Sequence, residues 1–255
     1  MFFGFDLKEI LMFPFKDQES RKYFLIGCLV ALAAFFIPIV PYLVLFGYAV
    51  RIARQVMNNE SPRMIAWDDW GGMVKDGVKV FGIRLILVSP ILILLIPLII
   101  SSIAFPIVMN SVNSSEIESV ATVFSLLVFA SLCCIIPLSI PLGLIIPGAE
   151  MHVIEKDDFM AGLRFKEWWP IFRANLSGFI AALAITYVVS MAVTLVIQIL
   201  GATLILACLV PFLLLGMTLH LTILMFVLGA QAYKVGKEKL AQQPEDSAPA
   251  PAPAE

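Results

Sequence analysis

Polar and apolar positions fall along this chain in blocks rather than residue by residue. Lysine, arginine, aspartate and glutamate are missing from residues 23–50, 85–109, 120–149 and 175–233. About 20 apolar residues in a helix cross the ~30 Å hydrocarbon core of a bilayer, so each of the first three blocks is long enough for one span. The fourth block, of 59 residues, is long enough for two, with a break expected near residues 198–203, where Gly201 follows a polar side chain. Five spans are therefore predicted, at about 23–50, 85–109, 120–149, 175–199 and 203–233. A spanning strand would alternate apolar and polar positions over ~10 residues. Runs such as "ILILLIPLII" are instead apolar on every side, and a helix bonds each amide within its own segment, as lipid requires. The expected fold is an all-α polytopic membrane protein.

Prolines punctuate the blocks: Pro38, Pro41, Pro90, Pro97, Pro106, Pro137, Pro141, Pro147 and Pro211. Each lacks an amide donor and crowds the preceding turn, so kinked helices are expected. Broken helices lining a transport site are the alternative, disfavoured because no charged group sits beside these prolines. Residues 1–22 carry four basic and four acidic residues around Phe2, Phe3, Leu7, Ile10, Leu11 and Phe13. They read as an amphipathic interfacial segment ahead of a retained first span rather than as a cleaved signal. Residues 234–255 read as a basic stretch followed by a disordered Pro/Ala-rich tail, "PEDSAPAPAPAE".

Between the blocks lie two polar loops with aromatic residues at helical spacing. In "WDDWGGMVKDGVKVF", Trp67, Trp70, Val74, Gly77 or Val78, and Phe81 form one stripe. In the second loop Trp169, Phe172, Leu176 and Phe179 do the same, with Pro170 compatible with a first helical turn. Both are predicted to be interfacial helices, with Trp67, Trp70, Trp168 and Trp169 anchored at the headgroup level. Asp68, Asp69, Asp157 and Asp158 are candidate helix-start caps.

Composition agrees with the pattern: 60% of residues are hydrophobic and 14% charged, at a mean hydropathy of +0.96. That is too little charge to cover a soluble domain of this length. Charge placement then sets orientation. Of 17 basic residues, six fall in 51–84, four in 150–174 and three after Tyr233. The positive-inside rule puts these two loops and the C-terminus in the cytoplasm, and five spans put the N-terminus outside with the remaining four. A re-entrant hairpin turning at Pro38–Pro41 is the alternative, and it gathers all 17 on one side.

A repeat at an offset near 100 residues pairs "IPIVPYLVLFGY" with "IPLSIPLGLIIPG", and "WDDWGGMVKDG" with "FKEWWPIFRANLSG". Each unit holds two spans, which makes the repeat parallel. The stretches "FKD" (15–17), "LFGYAVRIARQV" (45–56), "WDDWGGMVKDGVK" (67–79), "FMAGLRFKEWWPIFRANLSGF" (159–179) and "LGAQAY" (228–233) resemble the domain of unknown function 4013 family. The resemblance covers roughly residues 13–237. It implies a polytopic prokaryotic membrane protein and transfers no catalytic residue.

Candidate chemistry is sparse. Cys28, Cys133, Cys134 and Cys208 lie in apolar blocks without CxxC spacing and read as small buried hydrophobes. His220, within the last span between Thr218 and Thr222, is the intramembrane polar candidate. His152 beside Glu150 and Glu155 reads as a surface cluster. No phosphate loop, GxSxG or HExxH motif occurs, and no catalytic, metal or cofactor site is expected. The favoured function is a non-catalytic scaffold or accessory subunit in the cytoplasmic (inner) membrane of a prokaryote. Its expected partners are lipids and other membrane proteins or a second copy, not nucleic acid. A small transporter for an apolar or lipid-like substrate is the alternative, and an intramembrane lipid-acting enzyme the third reading.

Overall fold

A computed structural model describes residues 7–113, 115–203 and 207–242. Residues 1–6 and the Pro/Ala tail lie outside the described residues. Every described element is helical: α1 (Leu7–Met12), a 3-10 turn (Phe13–Phe15), α2 (Gln18–Ala33), α3 (Val40–Met57), α4 (Trp70–Met109), α5 (Ile117–Lys156), a second 3-10 turn (Phe159–Leu163), α6 (Phe165–Ala174), α7 (Leu176–Ala202), a third turn (Ala207–Leu209) and α8 (Val210–Gln242). Four of them are long and apolar enough to cross a membrane: α4, α5, α7 and α8. At 1.5 Å per residue the 40 residues of α4 and of α5 run ~60 Å, about twice a hydrocarbon core.

Residues 23–50 are not one helix. Helix α2 stops at Ala33 and α3 starts at Val40. Pro38 cannot continue α2, and the Val40 amide bonds back to the Pro38 carbonyl at 3.0 Å across Ile39, whose φ is 78°. That is the geometry of a tight γ-turn, strained for a β-branched residue. The side chains around it are bare: Phe35, Phe36, Ile37 and Ile39 are exposed, Phe36 to 83%.

The chain divides into two compact units. In the first, residues 7–81 with 147–242, α2, α3, α6 and α7 pack around α8. The later half of α8 supplies Leu219, Ile223, Phe226, Val227 and Tyr233, all buried. Small residues recur where backbones meet. A Cβ on Gly47 would lie 1.7 Å from the Met73 carbonyl oxygen, and one on Gly77 would lie 1.8 Å from that of Leu43. The start of α4 therefore crosses α3 with backbones in direct contact, which only glycine permits. Of the N-terminal apolar face, Ile10 and Phe13 are buried, and α1 packs against its 3-10 turn and α8. The second unit, residues 82–146, holds the apolar lengths of α4 and α5. Ile93, Ile103, Leu126 and Phe129 are among its exposed large side chains. Contiguous apolar exposure of this kind marks a surface that meets a membrane or partner helices.

Helix bounds differ from the expected spans in an instructive way. The first polar loop is not a separate interfacial helix, because α4 begins at Trp70 and continues through the apolar run without interruption. The second loop does form a separate helix, α6, and Pro170 stands inside it rather than in its first turn.

Gly77→Ala is expected to lower the unfolding free energy by about 1–3 kcal/mol, the usual cost of overpacking. A Cβ on Gly71 meets nothing within 4 Å, so Gly71→Ala should stay within about 0.5 kcal/mol of wild type. Thermal melting in detergent compares the two.

Candidate functional site

The charged residues of the first unit converge on the polar ends of α3, α4, α5 and α8. Arg51 and Arg54 leave one face of α3, and Asp69 and Asp76, seven residues apart, sit on one face at the start of α4. Arg51 Nη2 donates to Asp69 Oδ2 at 2.5 Å. Arg54 grips Asp76 with both guanidinium nitrogens at 3.1 Å and donates to Asp157 Oδ1 at 2.6 Å. Lys79 Nζ reaches the same Asp157 oxygen at 2.8 Å. Asp76 is only 8% exposed, so its desolvation is offset by a two-pronged partner, the geometry in which a shielded ion pair is worth keeping.

Asp69 has a second task. Its Oδ1 accepts the Gly72 amide at 2.9 Å, capping α4. The bond from Arg51, then that from Gly72, holds its carboxyl below the usual range. Asp158 caps the 3-10 turn through Met160 N at 3.0 Å and pairs with Arg164. Asp157 does not cap. It follows α5 at a φ of 52°, the left-handed conformation that Asp tolerates after a helix end. The bond from Lys79 leads, with Arg54 nearby, in holding its carboxyl below the usual range. Asp68 is exposed and makes no cap.

A second cluster joins α5, α6 and α8. His152 is 2% exposed, not a surface residue as expected. The Tyr233 hydroxyl donates to Glu155 Oε2 at 2.8 Å and, its one hydrogen used, accepts from His152 Nδ1 at 2.6 Å. His152 Nε2 faces Glu167 Oε2 at 3.2 Å, and Lys237 pairs with Glu155. Buried Asn175, between α6 and α7, donates to the Ala232 carbonyl at 2.9 Å and accepts from Lys239 at 2.7 Å. A polar cavity of about 430 Å³ lies among Arg54, Glu155, Asp157, Tyr233, Lys234 and Lys237.

The tryptophans divide. Trp67 and Trp168, expected at the headgroup level, are core residues. Trp67 stacks on Tyr48 at 4.0 Å and donates to the Tyr23 carbonyl at 2.9 Å, while Trp168 donates to the Gly162 carbonyl at 3.1 Å. Their N–H groups need no water, which removes the reason to stay at the interface. Trp70 is exposed, and Trp169 is half-buried between Phe165 and Phe172. The buried stripe of α6 is Trp168, Ile171 and Phe172; of the predicted stripe Phe172 and Phe179 are buried, while Trp169 is half-buried and Leu176 exposed. His220 lies apart from both clusters, beside Phe15 and Phe24 at 5.9 and 6.5 Å between ring centres. Its buried Nδ1 has no hydrogen-bond partner among the described residues. The polar cavity above is not lined by it.

Sequence reasoning missed Arg54, Asp76, Asn175 and Tyr233, and placed His152 at the surface where the structure buries it. One signal was available for the first two: Arg51/Arg54 and Asp69/Asp76 are complementary charges at same-face helical spacings on either side of a short loop. No group of three or more metal-ligating side chains occurs among the described residues. Residues 30–202 match the model of a family described as Protein of unknown function (DUF4013). No curated protein and no solved structure matches the chain.

Two outcomes test the ion-pair cluster. Asp76→Asn leaves Arg54 with Asp157 as its remaining carboxylate and is expected to cost about 2–4 kcal/mol, somewhat less than breaking a fully buried pair, read from chemical or thermal unfolding. Because the Asp157 carboxyl is held below its ordinary value of 3.8, its contribution is present above about pH 4 and is lost as pH falls through the depressed value. Melting temperature should therefore fall on acidification below pH 4, and less steeply in Asp157→Asn.

Proposed function

This chain belongs to the DUF4013 family, and on that footing we propose that it is a non-catalytic integral membrane protein, a scaffold or accessory subunit of a prokaryotic cytoplasmic membrane. One observation carries the reading. The acidic and basic groups that could serve a reaction are spent on one another, Arg51 with Asp69 and Arg54 with Asp76 and Asp157. They hold helix ends together and leave broad apolar faces for lipid or partner helices. A second reading, a carrier for a lipid-like substrate, draws on a cavity of about 450 Å³ lined by Ser101, Ser102, Ser125, Phe105 and Phe124 between α4 and α5.

Topology follows from the same ledger of lengths and charges. Between Tyr23 and Ala33 α2 holds 11 apolar-block residues, and between Val40 and Val50 α3 holds another 11. Each arm is ~16 Å long, half a hydrocarbon core. We read α2 and α3 as a re-entrant hairpin whose bare aromatic turn reaches the bilayer interior, leaving four spans in place of five. All 17 basic residues then share the cytoplasmic face, including the four N-terminal ones that five spans would place outside. The paired clusters also echo the repeat. Arg51 faces Asp69 as His152 faces Glu167, about 100 residues on.

Cysteines placed singly at Lys16 and Lys166 in a cysteine-free background should be labelled from the same side of oriented vesicles. Labelling from opposite sides would restore the fifth span. For the scaffold, mild-detergent purification and mass spectrometry should return a reproducible protein partner; a lone monodisperse chain in every lipid and detergent condition tells against it.

A further inference from the structure

Three contacts run in line through the second polar cluster. Glu155 Oε2 meets the Tyr233 hydroxyl at 2.8 Å, that hydroxyl meets His152 Nδ1 at 2.6 Å, and His152 Nε2 meets Glu167 Oε2 at 3.2 Å. Each contact needs one hydrogen. The tyrosine supplies one and a neutral imidazole supplies one more, whichever nitrogen carries it. The row is one proton short, so with a neutral ring two acceptors face each other at one of the three gaps.

The charges in contact agree with that count. Glu155, Glu167 and Asp158 are opposed by Lys237 on Glu155 and by Arg164, which pairs with Asp158 at 2.9 Å and stands 3.7 Å from Glu167. Three carboxylates against two cations leave one negative charge. His152, 2% exposed, lies between Glu155 and Glu167, with Nδ1 3.9 Å from Glu155. Glu150, two positions earlier on α5, projects from roughly the opposite side of the helix and is itself engaged. The missing proton can sit on a carboxyl or on the ring. Glu155 already receives Lys237 and the tyrosine hydroxyl, and Glu167 is 45% exposed and faces Arg164, so both favour the carboxylate. On His152 the proton makes a cation with an acceptor at each nitrogen.

We propose that His152 is a buried imidazolium and that its proton is a pH-sensitive tie between the end of α5 and α6. With the proton bound, His152 and Glu167 share a charge-assisted hydrogen bond. Once it is lost as pH rises, a bare nitrogen and a carboxylate face each other across the same gap. The far end of α6 is held separately, by Asn175 on the Ala232 carbonyl, so the loosening falls on the first turns of α6. The inference depends on neither the scaffold reading nor the number of spans.

The test counts protons directly. Nitrogen NMR of the histidine-labelled chain in detergent gives two sets of ring signals, for His152 and His220, assigned with His220→Gln. At about pH 7 both ring nitrogens of wild-type His152 should carry hydrogen. On alkaline titration Nε2 should lose its hydrogen while amide exchange in α6, corrected for intrinsic base catalysis, speeds up. In Glu167→Gln, whose amide can donate to a bare Nε2, the proton affinity of the ring should fall by about tenfold, and the pH response of α6 should move with it. Glu60→Gln, at the exposed pair with Arg63, should keep the wild-type titration. A wild-type His152 with one bare nitrogen at that pH would overturn the proposal without any variant. So would α6 exchange that ignores the titration of the ring, or a Glu167→Gln titration identical to that of wild type.

Discussion

Arg54 is the point on which the polar end of this molecule turns. Its guanidinium meets Asp76 with two nitrogens and reaches Asp157 with one of them, so a single side chain ties α3 to the start of α4 and to the residue that ends α5. It stands in the last turn of α3, where the helix dipole already favours a cation. Planarity matters here. A lysine could neutralise one carboxylate but could not fork onto one while spanning to another. The pairing works only because α3 and α4 come within backbone contact, and Gly47 and Gly77 allow that approach.

Seen from this interaction, the chemistry of the chain is economical. In the polar clusters charge serves to join helix ends, and in the middle of α4, α5 and α7 side chains are apolar and largely exposed. The His152–Tyr233–Glu155 chain does for α5 and α8 what Arg54 does for α3 and α4, with a hydroxyl and an imidazole in place of the guanidinium fork. A molecule that spends its polar groups on its own architecture presents lipid-facing surface and a narrow charged rim, which suits assembly within a membrane.

Much of this was legible in the residues. Charge-free blocks separated the apolar helices from the polar ends, and "WDDWGG" marked the start of a helix, with Asp69 as its cap. Other features were not. Trp67 and Trp168 have an interfacial composition, yet Tyr48 and the Tyr23 and Gly162 carbonyls supply what water would have supplied. Residues 23–50 have the length and hydropathy of a span. Their break depends on a γ-turn at Ile39, a conformation that no propensity of isoleucine foretells. His152 and Asn175 are polar residues whose partners lie 81 and 57 positions away, beyond any local pattern.

By itself, then, the sequence determined the helical class and the long apolar helices that suit a membrane, because hydrophobic transfer and backbone satisfaction in lipid act on runs of neighbouring residues. Only the tertiary structure decided which polar side chains are spent, which aromatics are core and where the first apolar block folds back on itself. Those outcomes depend on close approach between residues distant in sequence, and pair energies at such contacts are set by geometry that composition does not contain.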